Sequence, residues 1–467
     1  MNDFRFFFRD GEDSPLVAAL QLDVLAAGTP LSVSAADEMF NVFYYGRGES
    51  RDLALHMYLE SGKRIWKTFR QVLEWHFGDL ARVGSLLDFA AGYGRVSRFL
   101  LDDLPAERVW ISEIDAGAVR FQEATFGVHG LLSAADPEAF SPGRKFSSIL
   151  VSSLFTHLPE PRFRAWLAKL LGLVEDGGLL AFSIHDTQLL PDAGEAPFVF
   201  RELSESGSLS TAEYGSAWAT EGFVRASLAA LAPEGGLSVE RIPRGLASYQ
   251  DLYVVSRGAP RRPATVPDLA PLRGGADGFV ESCHLSAGRT LAVGGWVTDR
   301  STRQPVQEIQ VYVDGRLAVR SATLSDRPEV ADVFPGDAAG GQGWRLEIPL
   351  PRRFDTATLL LVAVGADGFS SCLLETTVLA LVARVALFRG LSLEREILDL
   401  REAQGRLAQD HEERLAELAT TRVEKEEWSR RAGALETRIA AMRASRFWQL
   451  RDRWFALKRR LRLTTEA

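Results

Sequence analysis

Cysteine is nearly absent from this sequence, which has only Cys283 and Cys372 in 467 residues. Two thiols cannot form a disulfide framework or a four-thiolate zinc site, and neither cysteine has potential metal ligands close to it in sequence. Long apolar runs are also missing, since no stretch approaches the roughly 18 to 20 apolar residues of a membrane-spanning helix. The first residues contain too short an apolar run, and too many acids, for a secretory signal peptide. We therefore expect a cytoplasmic protein without a resident metal.

An excess of positive charge is absent as well, because the formal net charge is −8 at pH 7. A general nucleic-acid binder needs a basic surface for its phosphate contacts, so this balance argues against that class of function. Hydrophobic residues make up 46% of the chain and charged residues 25%, as in globular proteins. At roughly 100 to 200 residues for each domain, the chain has room for two to four domains.

The first half of the chain contains a helical region followed by an α/β domain. Residues 1 to 85 have apolar residues at helical spacing and are expected to be mostly helical. From 86 to 257, short apolar runs alternate with helical segments of about ten residues, which is the pattern of βαβ units. This alternation predicts an open, mostly parallel α/β sheet.

The region after this domain has a different composition. Residues 258 to 275 are rich in proline, glycine and arginine without periodicity and indicate a linker. Between 276 and 386, alternating β-type runs and the dipeptide Asp314-Gly315, which favours a tight hairpin, predict a β-sandwich.

From residue 390 onward glycine becomes rare and proline is absent. Residues 390 to 445 have a three-four spacing with apolar ends and a polar middle, which predicts a coiled coil and therefore self-association or a helical partner. Residues 446 to 467 form a basic amphipathic tail in which Phe447 and Trp454 share one helical face. Such a tail is typical of helices that lie on an anionic membrane surface or dock on an acidic partner.

The stretch LLDFAAGYGRVSRFL, residues 86 to 100, indicates a ligand-binding turn. A strand containing Asp88 is followed by Gly92 and Gly94 and then by a helical pattern, so backbone N–H groups would point toward a ligand. Two glycines alone are weak evidence. In a dinucleotide fingerprint the third small position would be Ser97, and Asp88 would repel a pyrophosphate. A ligand with a cationic amino group suits this loop better.

S-adenosylmethionine has such a group, together with a ribose diol and no phosphate. The next predicted strand, RVWISEI, ends near Glu113, and an acid at that place can accept hydrogen bonds from both ribose hydroxyls. NAD binding and a degenerate sheet without ligand are the alternatives for residues 86 to 115.

Four segments in order, LLDFAAGYGR, VWISEID, KFSSILVSSLFTHL and LVEDGGLLAFSIH, resemble the class I S-adenosylmethionine-dependent methyltransferases over about 85 to 257. The resemblance implies a Rossmann-like sheet whose last two strands include one antiparallel strand. Ala90 stands where this family usually has glycine, and its methyl group is tolerable if φ is negative there. The implied cofactor contacts are Asp88, Ala90, Ala91, Gly92 and Gly94 at the methionine end, Glu113 at the ribose, Asp136 at the adenine and Ser152 near the methyl donor.

Two histidines are candidates for a general base. Methyl transfer is an in-line displacement in which a hydroxyl acceptor loses its proton, and histidine is the usual base near neutral pH. His157 follows the fourth predicted strand and His185 ends the fifth, both at carboxyl ends where open sheets bind ligands. The alternatives are packing of His157 against the next helix and a polar strand end at His185.

The remainder of the chain resembles parts of bacterial surface-glycan assembly enzymes. The segments GGWVTD, VQEIQVYVDGR, DRPEVADVFP and GWRLEIPL are similar to Ig-like modules, and SRFWQLRDRWFALKRRL is similar to tails that follow coiled coils in those enzymes. The resemblance implies a sugar hydroxyl of a surface polysaccharide, or its precursor, as acceptor, a glycan-assembly partner, and a position at the inner membrane. The alternative is a non-catalytic coiled-coil adaptor with a degenerate methyltransferase fold.

Overall fold

The structure is a computed structural model. It describes residues 5–11, 24, 28–46, 51–190, 192–203, 210–247, 249–258, 276–286, 289–299, 302–328, 330, 341–352, 354, 357–366 and 370–460. The chain forms two compact units, Met1–Arg389 and Gly390–Ala467. Apart from residue 258, the predicted linker lies outside the described residues, as does the tail beyond residue 460.

The region before residue 85 is not entirely helical. It contains two short antiparallel strands, β1 (Phe6–Phe8) and β2 (Val33–Ser34), before the helices α1 (Glu38–Gly46) and α2 (Arg51–Phe77). Consecutive phenylalanines favour a strand, which explains β1. The long helix α2 lies within the part of the chain that the sequence predicts to be mostly helical.

The central sheet confirms the open α/β fold. Its strands in chain order are β3 (Leu86–Phe89), β4 (Val109–Glu113), β5 (His129–Leu132), β6 (Phe146–Val151), β7 (Val174–Asp186), β8 (Phe198–Arg201), β9 (Ser216–Ala219), β10 (Leu237–Leu246) and β11 (Gln250–Arg257). The main path runs β10-β11-β7-β6-β3-β4-β5. Strand β11 is antiparallel to both β7 and β10, whereas the pairs among β3, β4, β5, β6 and β7 are parallel. One antiparallel strand near the end of the sheet is what the sequence predicts.

Helices cover both faces of this sheet. The helices are α3 (Ser97–Leu100), α4 (Ala116–Phe126), α5 (Glu160–Gly172) and α6 (Glu221–Leu231). Leu86 packs with side chains of α2, α3 and α4, whereas Leu87 packs on the other face with side chains of α5 and α6. Successive strand residues point to opposite faces, so the apolar runs of this sheet form two cores.

The β-rich region contains two four-stranded antiparallel sheets. Its strands are β12 (Ala276–Leu285), β13 (Thr290–Asp299), β14 (Glu308–Val313), β15 (Arg316–Ser321), β16 (Ser325–Arg327), β17 (Gly341–Pro349), β18 (Thr358–Val364) and β19 (Ser370–Thr377). The sheet orders are β12-β13-β17-β16 and β15-β14-β18-β19, and both sheets contribute to one hydrophobic core. Asp314 and Gly315 join β14 to β15 with φ of +48° and +73°, which confirms the predicted tight turn.

A long helix, α7 (Val378–Ala444), follows directly. It begins before the predicted boundary at 390, because Val378, Leu381 and Val385 lie at helical spacing and are buried in the core of the β-rich region. A shorter helix, α8 (Arg446–Arg460), ends the described chain. Among the described helices, none has both the length and the apolar character required to span a bilayer.

One face of α2 is joined by ion pairs to the β-rich region and to the first part of α7. Glu60 pairs with Arg384 at 2.6 Å, and both belong to unit Met1–Arg389. Arg64 pairs with Asp277 at 3.2 Å, and Lys67 pairs with Glu375 at 2.9 Å. The spacing of four and three residues along α2 places all three of its charges on the same side of the helix.

Candidate functional site

A cavity of about 380 Å³ lies at the carboxyl ends of the parallel strands. It is lined by residues that follow β3, β4, β5 and β6, together with the segment 36 to 39 before and within α1. Open α/β sheets bind ligands at this edge, because the strand-to-helix turns present backbone and polar side chains there. The fold therefore brings the predicted turn at residues 88 to 96 to a cavity.

Asp88 is a buried carboxyl group in the lining of this cavity, with 3% of its surface exposed. Its Oδ2 accepts a hydrogen bond of 2.8 Å from Ser97 Oγ at the start of α3. The pKa of Asp88 is raised to about 7: burial is the largest cause, the Ser97 hydrogen bond opposes it, and the nearby charge of Glu113 adds to the rise. A cation bound in the cavity would favour the ionised form of this group.

Glu113, at the end of β4, connects two turns of the site. Its Oε2 accepts a hydrogen bond of 2.8 Å from the Gly92 amide, and its Oε1 accepts one of 2.6 Å from the Ile114 amide. Burial raises the pKa of Glu113, whereas these amides lower it. The Asp115 amide also lowers this pKa, and since a carboxylate has about four acceptor positions, a ligand hydroxyl group can still donate to it.

The two glycines of the turn, Gly92 and Gly94, differ in their surroundings. Gly92 lines the cavity with φ of +56°, and no atom lies within 4 Å of the position that a Cβ would occupy. A Cβ on Gly94 would lie 2.1 Å from the ring of Phe126, and Gly94 does not line the cavity. Gly94 therefore permits close packing of α4, and its predicted contact with a cofactor stays a prediction.

Ala90 lines the cavity with φ of +60°, so the condition of a negative φ, under which its methyl group would be tolerable, is not met. The turn out of β3 imposes this left-handed backbone, and the following residue, Ala91, also lines the cavity while its amide donates to the Ser112 carbonyl at 3.1 Å. A left-handed alanine costs about 1 to 2 kcal/mol, which glycine avoids.

Replacing Ala90 with glycine is expected to raise the free energy of unfolding by about 0.5 kcal/mol, because relief of strain exceeds the added chain entropy of glycine. Ala91→Gly is the matched control, since φ at Ala91 is not positive. It is expected to lower the free energy of unfolding by about 0.5 to 1 kcal/mol. Urea unfolding measures both values. Equal destabilisation by the two substitutions would contradict strain at Ala90.

Asp136 lies outside the cavity lining, and its predicted contact with an adenine stays a prediction. It caps the short helix Pro137–Ala139, and its Oδ1 lies 3.4 Å from Arg162 Nη1. Ser133, Ala134 and Ala135 from the same loop line the cavity instead. An aspartate before proline at a helix start is a good cap, which explains its orientation.

Ser152 lies at the end of β6 and lines the cavity, and its predicted position near the methyl donor stays a prediction. Its Oγ is buried and has no hydrogen-bond partner within the described part of the chain. A buried hydroxyl without a partner costs about 1 to 3 kcal/mol, which a polar ligand atom in the cavity would offset.

The structure distinguishes the two candidate histidines. His157 lines the cavity, its Nδ1 lies 2.7 Å from the Gly215 carbonyl oxygen, and its ring stacks on Tyr214 at 4.6 Å between centroids. His185 does not line the cavity, and its burial lowers its pKa to about 3, with the charge of His157 as a second cause. His185 lies outside the lining where β9 pairs with the end of β7, and its role as a base stays a prediction.

Several lining residues have no signal in the sequence. Asp37 lies before α1, and its carboxylate accepts hydrogen bonds from the Phe40 amide at 2.9 Å and from the Tyr58 hydroxyl at 2.5 Å. Tyr214 and Glu213 reach the cavity from the segment before β9. The Asp37 side chain fits an ordinary helix cap, so its sequence context predicts no site.

No protein-family model matches this chain, and no curated protein matches it. Among solved structures, it is similar to the DhpI–SAH complex, with 16% identity, coverage of 50% of this chain and 99% of that one, and a TM-score of 0.32. It is also similar to the glycopeptide N-methyltransferase MtfA complexed with SAM, with 15% identity, coverage of 42% and 94%, and a TM-score of 0.31. A third similar structure is an S-adenosylmethionine-dependent methyltransferase from Clostridium acetobutylicum, with 11% identity, coverage of 46% and 99%, and a TM-score of 0.32.

Proposed function

We propose that this chain transfers a methyl group from S-adenosylmethionine to a sugar hydroxyl of a surface polysaccharide or its precursor. The observation that carries the proposal is the pair of acids Asp88 and Glu113 on the neighbouring parallel strands β3 and β4, both lining one cavity. S-adenosylmethionine offers an ammonium to Asp88 and a ribose diol to Glu113, whereas the pyrophosphate of NAD would meet the carboxylate of Asp88. A cavity of about 380 Å³ is in the usual size range of small-molecule sites.

Each part of the cavity lining fits one part of S-adenosylmethionine. Asp88 would hold the ammonium, Glu113 the ribose hydroxyls, and the small residues 133 to 135 the adenine. Gly92 leaves open space for close approach to the main chain, and the buried Ser152 hydroxyl gains a partner. Bound in this cavity, the cofactor supplies an electrophilic methyl carbon on a sulfonium.

His157 is the proposed general base. The Gly215 carbonyl can only accept, so the contact of 2.7 Å assigns the imidazole proton to Nδ1 and leaves the lone pair on Nε2. Nε2 would take the proton that the acceptor hydroxyl loses on methylation, and the sulfonium would leave as the neutral thioether S-adenosylhomocysteine when its bond to the methyl carbon breaks. Stacking on Tyr214 and the Gly215 hydrogen bond hold the ring in one orientation.

A sugar acceptor is supported by chemistry and by sequence resemblance. Tyr214 lines the cavity beside His157 and presents an aromatic ring that an apolar sugar face can contact. The β-rich region, which we interpret as an Ig-like sandwich, resembles modules of glycan-assembly enzymes in its sequence.

The long helix α7 is proposed to associate as a coiled coil. Apolar residues of its predicted register are exposed: Leu407, Leu418, Leu435, Ile439 and Met442. Residues at this three-four spacing gain burial when a second helix covers them. We propose a second copy of the chain, or a helical glycan-assembly partner, as the occupant.

Isothermal calorimetry with S-adenosylhomocysteine tests the proposed cofactor. We expect saturable binding to the full chain and no heat on titration with NADH, because Asp88 would repel the pyrophosphate of a dinucleotide. Absence of heat with S-adenosylhomocysteine would favour the non-catalytic adaptor, and binding of NADH would favour a dinucleotide enzyme.

A further inference from the structure

The helix α8 exposes a stripe of large apolar side chains. Phe447 is 74% exposed, Leu450 66%, Trp454 56% and Leu457 49%. None of the fifteen residues of α8 is buried. Their spacing of three, four and three positions places these four side chains along one side of the helix. Exposed apolar area of this kind is stabilised when another surface covers it.

Basic residues border this stripe on both sides. Arg446, Arg453 and Arg460 follow one another at seven-residue spacing along one border, and Arg451 and Lys458 do so along the other. With Arg459, the helix has six basic side chains against one acid, Asp452, so its net charge is 6 − 1 = +5.

Two of the cations also lie over aromatic rings of the same helix. The Arg451 guanidinium is 3.4 Å from the centroid of Trp448, and Lys458 Nζ is 5.7 Å from that of Trp454. Long basic side chains in this arrangement cover apolar surface with their stems and keep the charge at the polar boundary.

We propose that α8 lies on the surface of an anionic phospholipid bilayer, with its apolar stripe among the acyl chains and its two basic borders at the headgroups. A planar lipid surface contacts both borders of a helix at the same depth, as this symmetric arrangement requires. An acidic protein groove would need carboxylates on both of its walls, each placed opposite one of the two basic borders. Tryptophan is also enriched at membrane interfaces, where its ring is apolar and its N–H is polar.

Vesicle sedimentation with the full chain tests this proposal. We expect binding to vesicles of mixed phosphatidylcholine and phosphatidylglycerol to be at least about tenfold tighter than binding to phosphatidylcholine alone, and to weaken as salt is added. Equal binding to both vesicle types, or no sedimentation with either, would overturn it.

Substitutions separate the two contributions of α8. The first variant removes charge from one basic border and combines Arg446→Gln, Arg453→Gln and Arg460→Gln. The second variant shortens the apolar stripe and combines Phe447→Ala and Trp454→Ala. We expect each to weaken vesicle binding at least about tenfold. The control carries the same loss of charge in α7, as Arg422→Gln, Arg430→Gln and Arg438→Gln, and is expected to bind like the unchanged protein.

Circular dichroism and S-adenosylhomocysteine binding show that each variant is folded. An equal loss of vesicle binding in the control and in the α8 variants would overturn the proposal. Retention of the chain on a polyglutamate-coated resin, together with no binding to vesicles, would overturn it as well, because it would indicate an acidic protein partner. Since α8 contributes no residue to the cavity, failure of lipid binding leaves the calorimetric test of the proposed cofactor unaffected.

Discussion

Replacing Asp88 with asparagine is expected to weaken the binding of S-adenosylhomocysteine by roughly 100-fold at pH 8, because a charged hydrogen bond to the ligand ammonium is lost. Asparagine has the same size and can still accept a hydrogen bond from Ser97, so the local packing is kept. The pKa of Asp88 is about 7 in the folded protein. The affinity of the unchanged protein is therefore expected to fall about tenfold per pH unit below 7, whereas that of the variant stays flat.

The same substitution is expected to stabilise the protein without ligand. Folding raises the pKa of Asp88 from 3.8 to about 7, so the fold favours the protonated acid and is penalised as pH rises through 7. At pH 8 asparagine avoids this penalty, and the free energy of unfolding is expected to rise by about 1 to 4 kcal/mol. Below pH 3.8 the ionic part of this gain is absent, because the acid is neutral in both states.

Calorimetry and urea unfolding across this pH range measure both effects of Asp88→Asn. Asp79→Asn is the matched control, since Asp79 caps the short helix Leu80–Arg82 and does not line the cavity. Unchanged S-adenosylhomocysteine affinity in Asp88→Asn would refute the role of Asp88 at the ligand ammonium. A loss of stability at pH 8 would refute the raised pKa.

Replacing His157 with glutamine is expected to lower kcat about 100- to 1000-fold, which is the usual contribution of a general base. The cofactor KM is expected to change less than about threefold, because Asp88 and Glu113 carry that binding in the proposal. The assay is transfer of tritiated methyl groups from S-adenosylmethionine to polysaccharide from cells that lack the gene.

His185→Gln is the matched control for His157→Gln, since His185 ends a neighbouring strand but does not line the cavity. We expect its kcat to stay within about threefold of the unchanged protein. Equal losses in the two variants would show that the effect is structural. Full activity of His157→Gln would show that the acceptor loses its proton without this base.

The sheet and its acids could be predicted because their signals are local. Apolar runs that alternate with helical segments leave only a few possible strand orders. Acids at the carboxyl ends of β3 and β4 lie at the same edge of a parallel sheet. Asp88 and Glu113 therefore follow from spacing alone. The contact of Gly94 with Phe126 does not, because it depends on how α4 packs across the turn.

The choice between His157 and His185 depends on the hairpin of β8 and β9. Both histidines follow buried strands and look equivalent in sequence. The parallel pairing of His185 with Trp218 in β9 places His185 outside the cavity lining, whereas Tyr214, before β9, stacks on His157 within it. This hairpin has short strands without a strong apolar period, so its position could not be predicted.

The ion-paired face of α2 bears on how this protein can be divided. On its other side, α2 contacts the turn of the site, where Arg95 Nη1 donates to Ser61 Oγ at 3.3 Å and a Cβ on Gly62 would lie 2.1 Å from the Arg95 carbonyl oxygen. Cutting the chain between 258 and 275 would leave Glu60, Arg64 and Lys67 without their partners. The change in composition at residues 258 to 275 is thus a poor place to divide the protein. A fusion that uses either half should also include the interface residues of the other half.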